Sequence, residues 1–143
     1  GLLNREQFFK DGQTDGKDTL WDEDGTPIDL ITWKDGEMHG EYVNWHSNGN
    51  KRCEYHYQDG KPHGVCILWH ENGQKETHSN YEYGKREGKT MGWYENGQIQ
   101  YEDNYEDGLL DGYSVSFREN GSKRKEENYK HGFCWNRTNH VEG

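Results

Sequence analysis

At 143 residues and a net charge of −10, with Leu, Ile, Val and Phe supplying only 19 side chains, the chain has too little ordinary apolar surface for a conventional core. Six Trp and ten Tyr exclude simple disorder, because each buried aromatic ring withdraws about 150–250 Å² from water. The sign of the charge argues against nucleic acid and against an anionic membrane as partners.

Nineteen glycines are spread along a chain that has no alanine, so helix propensity is poor in nearly every window and the expected class is all-β. Cys53, Cys66 and Cys134 lack a C-x-x-C spacing and suggest neither a disulfide framework nor a zinc site. Reduced thiols and a cytoplasmic location are expected. No apolar run has the roughly 18 residues of a membrane-spanning helix. The chain begins at Gly1 rather than Met, which leaves a removed targeting segment open.

In chain order, residues 1–11 precede the regular pattern and read as a cap on a single repeat domain spanning 1–143. From Gly12 a 24-residue period takes over: Gly12, Gly36, Gly60, Gly84, Gly108 and Gly132 keep it, as do Gly25, Gly49, Gly73, Gly97 and Gly121. Trp21, Trp45, Trp69, Trp93 and Phe117 form one aromatic ladder on this interval, and Phe9, Trp33, Tyr57, Tyr81, Tyr105 and Tyr129 form another. Such self-similarity marks stacked units that bury a core only against their neighbours. Complete units run roughly over 12–132, and 133–143 leaves the pattern as a second cap.

Each unit reads as strand, turn, strand and connector. In the unit starting at Gly64 the first strand covers 64–70, Glu71-Asn72-Gly73 is the turn, and the second strand runs from Gln74 to about Tyr81. Asn-Gly between β-rich runs is a strong hairpin signal. The connector carries Gly84 and Gly88 and reads as the wider turn. A two-residue turn would put the two aromatic ladders on opposite faces; a three-residue turn with a left-handed glycine puts both on one face. The second is expected, with Gly49, Gly73, Gly97 and Gly121 at positive φ. It gathers Arg52, Glu54, His56, Glu76, His78, Asn80, Gln100, Glu102, Asn104, Arg124, Glu126 and Asn128 on the other face, as a one-sided antiparallel sheet requires. The expected product is a curved, single-layer antiparallel sheet of stacked hairpins, about ten strands in all.

The pattern Gly-x-x-x-Gly, an aromatic five residues on, then Asn-Gly and Tyr-x-x-Gly is carried by "GKPHGVCILWHENGQKE" and "YGKREGKTMGWYENGQIQ". It resembles the MORN repeat in its bacterial variant, of the kind found in YwqK-type antitoxins. The likeness covers roughly Gly12 to Gly132 and rests on the glycines and aromatics that build the repeat. It implies the hairpin sheet and, for function, an antitoxin or immunity protein, whereas eukaryotic relatives imply membranes and scaffolding.

Little else carries chemistry. The run from Gly84 to Thr90 has three residues between its glycines where a phosphate-binding loop needs four. His46 and His70 recur in phase, as do His39 and His63, but in-phase positions lie two strands or about 9.5 Å apart, too far to share a zinc ion. They are expected to be solvated turn and strand residues. The sequon-like Asn120-Gly121-Ser122 and Asn136-Arg137-Thr138 fall in a turn and in the tail. No nucleophile, base or perturbed carboxylate pair is recognisable, so no enzyme, cofactor or metal site is expected.

What remains is charge. Asp22 and Asp24 belong to an acidic stretch, and Glu102, Asp103, Glu106, Asp107 and Asp111 have no base among them. These seven are the candidate partner-binding residues. The expected partner is a protein, in the antitoxin reading a basic toxin whose groove the carboxylates occupy. The alternative is a structural scaffold or secreted interaction module with no toxin partner.

Overall fold

The computed structural model describes residues 4–142; residues 1–3 of the expected N-terminal cap, and Gly143, lie outside the described residues. Twelve strands follow one another in a single antiparallel meander, each paired with the strand before and after it. They are β1 Asn4–Glu6, β2 Gly16–Trp21, β3 Pro27–Lys34, β4 Glu37–Trp45, β5 Lys51–Gln58, β6 Gly64–Trp69, β7 Lys75–Glu82, β8 Gly88–Trp93, β9 Ile99–Glu106, β10 Gly112–Phe117, β11 Lys123–Lys130 and β12 Phe133–Asn139. The two strands beyond the expected ten come from the caps. Short strands Lys61–Pro62, Lys85–Arg86 and Leu109–Leu110 extend the sheet, and Phe9–Lys10 pairs separately with Gln13–Thr14.

The hairpin tip is the expected three-residue turn, whereas the connector, expected to be the wider turn, is the tighter one. At the hairpin tip the Gly73 N–H donates to the His70 carbonyl and the His70 N–H to the Gln74 carbonyl, both at 2.9 Å, which closes a three-residue loop with Gly73 at φ +85°. Gly49, Gly97 and Gly121 have φ of 87°, 84° and 82°. The connector is the tighter turn. Asp59 and Gly60 both have positive φ, 49° and 76°, and Gln58 stands opposite Lys61, which is a two-residue type I′ hairpin.

The three-residue tip does not bring the aromatic ladders together. Lys75 pairs with Trp69 but Thr77 pairs with Leu68, so Glu76 is an inserted residue, a β-bulge. The bulge shifts the alternation a second time. Tyr81 stands opposite Gly64 and shares its side of the sheet, whereas Trp69, an odd number of residues from Gly64, points the other way. Ile28, Arg52, Gln100 and Arg124 repeat the bulge in the other units. The sheet therefore has a tyrosine face and a tryptophan face, and the expected single aromatic face is corrected.

On the tryptophan face the pairing is monotonous. Val43, Ile67, Met91 and Val115 stand opposite Glu54, His78, Glu102 and Glu126, so the polar residues expected on a separate face lie beside the Trp ladder. Val43 and Val115 are 2 % and 3 % exposed, and Lys51 Nζ sits 5.8 Å from the Trp69 ring centroid, covering it with its stem. Total accessible surface is 8991 Å², against about 7,700 Å² for a compact protein of this mass. A layer one sheet thick accounts for the excess.

Side chains at the tips tie successive units together. Asn48 Nδ2 donates to the Glu71 carbonyl at 2.8 Å, Asn72 Nδ2 to Glu95 at 2.9 Å and Asn96 Nδ2 to Glu119 at 3.1 Å. His46 Nε2 lies 2.9 Å from the Trp69 carbonyl and His70 Nε2 2.8 Å from that of Trp93. A carbonyl only accepts, so both rings carry a proton on Nε2. These histidines are inter-unit ties rather than solvated bystanders. His39 and His63 accept the Asp59 and Tyr83 N–H groups through Nδ1, at 3.4 and 3.3 Å.

Candidate binding surface

The tyrosine face is framed by a constant pair in each unit: Gly16 with Trp33, Gly40 with Tyr57, Gly64 with Tyr81, Gly88 with Tyr105 and Gly112 with Tyr129. Two residues inward, the frame gives way to variation. The equivalent cross-strand pairs there are Asp18 with Ile31, Tyr42 with Tyr55, Cys66 with Ser79, Thr90 with Asp103, and Ser114 with Glu127. The backbone asks the same of all five positions, yet the side chains that fill them differ in size and charge.

Cys66 and Ser79 are buried, and Thr90 is 1 % exposed with a hydroxyl that has no hydrogen-bond partner. The buried carboxylates are paired: Arg5 grips Asp18 through Nε at 2.8 Å and Nη2 at 2.6 Å, and holds its carboxyl below the usual range. Lys125 and Arg137 reach Glu127 at 2.8 and 2.6 Å. Asp29 is different. Burial pushes its pKa up, and Asn44 Nδ2, 3.5 Å away, is a weak donor.

The second of the five pairs brings three rings together. Tyr42, Tyr55 and Tyr57 have centroids 6.1, 6.4 and 6.2 Å apart, with Tyr42 and Tyr57 at 83° to each other. They line a cavity of about 520 Å³ with Asn44, Cys53 and Leu68. Further along, Arg86 donates to the Tyr81 and Tyr105 hydroxyls, each at 3.2 Å, and its guanidinium lies 5.3 Å from the Tyr105 centroid.

The seven acidic candidates do not converge. Glu102 projects on the tryptophan face, opposite Met91, and meets Lys89 Nζ at 3.1 Å. Asp103 lies on the tyrosine face and accepts from Ser114 Oγ at 2.5 Å. Glu106, Asp107 and Asp111 lie at the connector edge, where Lys85 reaches Asp107 at 2.6 Å and Lys130 reaches Asp111 at 3.0 Å and Glu106 at 3.9 Å. The run without bases in sequence thus receives lysines from neighbouring strands. Asp22 is spent inside its turn, accepting from the Asp24 and Thr26 N–H groups at 3.0 and 2.8 Å, and Asp24 is exposed at that tip.

Glu106, Asp111 and His131 present oxygen and nitrogen atoms within 4.8 Å of one another and are the one grouping with metal-ligand character among the described residues. The Lys130 ammonium already lies beside both carboxylates, and the group is at the exposed edge. The tyrosine triad was the signal that sequence reading missed. Tyr42 and Tyr55 stand where no other unit carries an aromatic residue, a departure visible against the 24-residue period.

A family model described as "MORN repeat variant" matches residues 38–59, 62–83, 86–107 and 110–131. The four matches keep the 24-residue interval and stop short of the first hairpin, where Asp24-Gly25 stands in place of Asn-Gly. No curated protein matches the chain.

Proposed function

Because the chain belongs to the MORN repeat variant family, we propose that it is a non-catalytic repeat module that holds a protein partner on its tyrosine face. The partly exposed members of the central pairs, Ile31, Tyr42, Tyr55, Asp103 and Ser114, vary within a constant glycine–aromatic frame and carry this reading. A repeat array offers an extended surface of this kind to partners. Tyrosine supplies large contact area with a polar tip at low conformational cost. Area is not limiting, since a standard interface takes about 800 Å² from each partner, roughly a tenth of the surface.

The finer reading is an antitoxin or immunity role, in which the partner is a basic toxin. The net charge of −10 supports it, since such a field speeds encounter with a cationic surface. The lysine-paired carboxylates of Glu102, Asp107 and Asp111 would then steer rather than anchor.

The test is capture of partners from source cells by the full chain, by Asp103→Arg/Ser114→Arg on the tyrosine face, and by Glu71→Gln/Glu95→Gln/Glu119→Gln on the tips. Loss of one partner with the first variant alone supports the reading. Loss with the second alone moves the site to the tips. For the antitoxin role, the captured protein must arrest growth when expressed alone and be silenced by co-expression; a harmless partner sinks that role and leaves the binding module standing.

A further inference from the structure

We infer that Tyr42, Tyr55 and Tyr57, with Asp29 behind them, form an aromatic cage for an organic cation of the quaternary ammonium class. The inference goes beyond partner binding on this face and stands without it. A methylated ammonium is held by ring quadrupoles when it lies within about 6 Å of several centroids. A cation seated over the middle of a triangle with sides of 6.1, 6.2 and 6.4 Å meets that condition for all three rings at once. Tyr42 and Tyr57 stand at 83° to each other and are tilted at 41° and 42° to Tyr55, so the three rings do not form a flat stack.

The electrostatics favour a cation. Burial raises the Tyr42 hydroxyl to about 12, with the Asp29 carboxylate contributing, so the ring stays neutral at working pH and keeps its electron-rich face. Asp29 lines the adjoining cavity of about 180 Å³, and the nearest cation there, Arg5, is occupied by Asp18. Arg52 and Glu76 stand at the exposed mouth of the larger cavity and offset each other, and Asp29, whose charged form burial disfavours and which accepts from Asn44 and the Tyr42 hydroxyl, is the group whose ionisation a bound cation would favour.

The same face shows the interaction in closed form. Arg86, opposite Tyr81, places its guanidinium between Tyr81 and Tyr105. The residues at the equivalent register near the triad are Met38, opposite Trp33, and Pro62, opposite Tyr57. The sheet supplies its own cation to one set of tyrosines and none to the other. The triad itself is built from two departures from the repeat, neither position being aromatic in another unit: equivalents of Tyr42 are Asp18, Cys66, Thr90 and Ser114, and equivalents of Tyr55 are Ile31, Ser79, Asp103 and Glu127.

The experiment is an NMR titration of the full chain with choline and with 3,3-dimethylbutan-1-ol, its uncharged isostere. Choline is expected to shift the triad ring signals, and the neutral isostere to bind about 5- to 30-fold more weakly, the span that cation–π attraction provides. Tyr42→Ser and Tyr55→Ser install residues that other units already carry at these positions, so the fold should survive, and each should weaken choline by a similar factor. Tyr55→Phe keeps the ring and should keep binding, while Asp29→Asn should weaken choline and leave the isostere unchanged. A peptide bearing trimethyl-lysine completes the set: tighter binding than choline assigns the cation to a modified protein segment, and equal binding assigns it to a small solute. Equal affinity for choline and its isostere, or no shift with choline or the peptide, overturns the cage.

Discussion

The ring of Tyr101 lies directly on Gly92: a β-carbon added to the glycine would stand 2.2 Å from Tyr101 Cε1 and 2.6 Å from Cζ. Gly92 has ordinary extended backbone, so its role is the close approach rather than an unusual φ. Gly92→Ala should therefore lower stability by about 1–3 kcal/mol, the range for forcing volume into a packed site. Combining it with Tyr101→Thr, the residue type at the equivalent Thr77, should recover part of the loss. Urea unfolding of the two single variants and the double variant measures the coupling.

Gly73 makes the opposite kind of demand. Its φ of +85° lies where a β-branched residue is strained, with Asn50 Nδ2 3.6 Å from an added β-carbon. Gly73→Val should cost more than the roughly 1 kcal/mol that strand propensity spans. A neutral thermal denaturation profile would contradict the left-handed turn.

Asn72 does two jobs that one substitution separates. Its Oδ1 accepts the Gln74 N–H at 3.0 Å within the turn, and its Nδ2 donates to the Glu95 carbonyl in the next. Asn72→Asp keeps the acceptor and removes the donor, so it should cost about 0.5–1.5 kcal/mol. The loss should show as faster amide exchange in the 88–106 hairpin, with the tip at 71–74 kept.

Thr90 buries a hydroxyl that nothing satisfies. Thr90→Val removes that penalty at nearly constant shape and should be neutral or stabilising by up to about 2 kcal/mol. A marked loss of stability, measured by chemical denaturation, would show that the hydroxyl is used.

Acid should unfold the first hairpin through Asp18. The hydrogen bonds from Arg5 hold its folded pKa below the unfolded value, so the stability it contributes is complete above about pH 4 and is lost as pH falls through the lower folded value. Arg5→Gln removes the main cause. The variant should be less stable at neutral pH and should lose less on acidification, which unfolding free energies between about pH 2 and 7 would reveal.

The sequence carried the repeat openly because glycines at positive φ and stacked rings leave residue types no substitute can hide. Gly73 and its equivalents were legible for that reason. The position of Trp69 relative to Tyr81 was not, since the bulged residues Ile28, Arg52, Glu76, Gln100 and Arg124 share no size, charge or polarity. A bulge is a backbone event with no compositional mark. The acidic run at Glu102–Asp111 misled because lysines that are remote in sequence, Lys85, Lys89 and Lys130, are one or two strands away in space. Tyr42 and Tyr55 could have been found by asking where the period is broken rather than where it is kept.

In the order β1 to β12, every strand hydrogen-bonds only to its predecessor and successor. A load drawn between the two termini would thus part the backbone bonds like the teeth of a zipper, a few at a time from either edge, instead of shearing many at once. Each 24-residue unit surrendered would release about 80 Å of extended chain. The array would then behave as a soft, stepwise extensible tether whose yield is set one hairpin at a time, by ties such as those of Asn72 and His70.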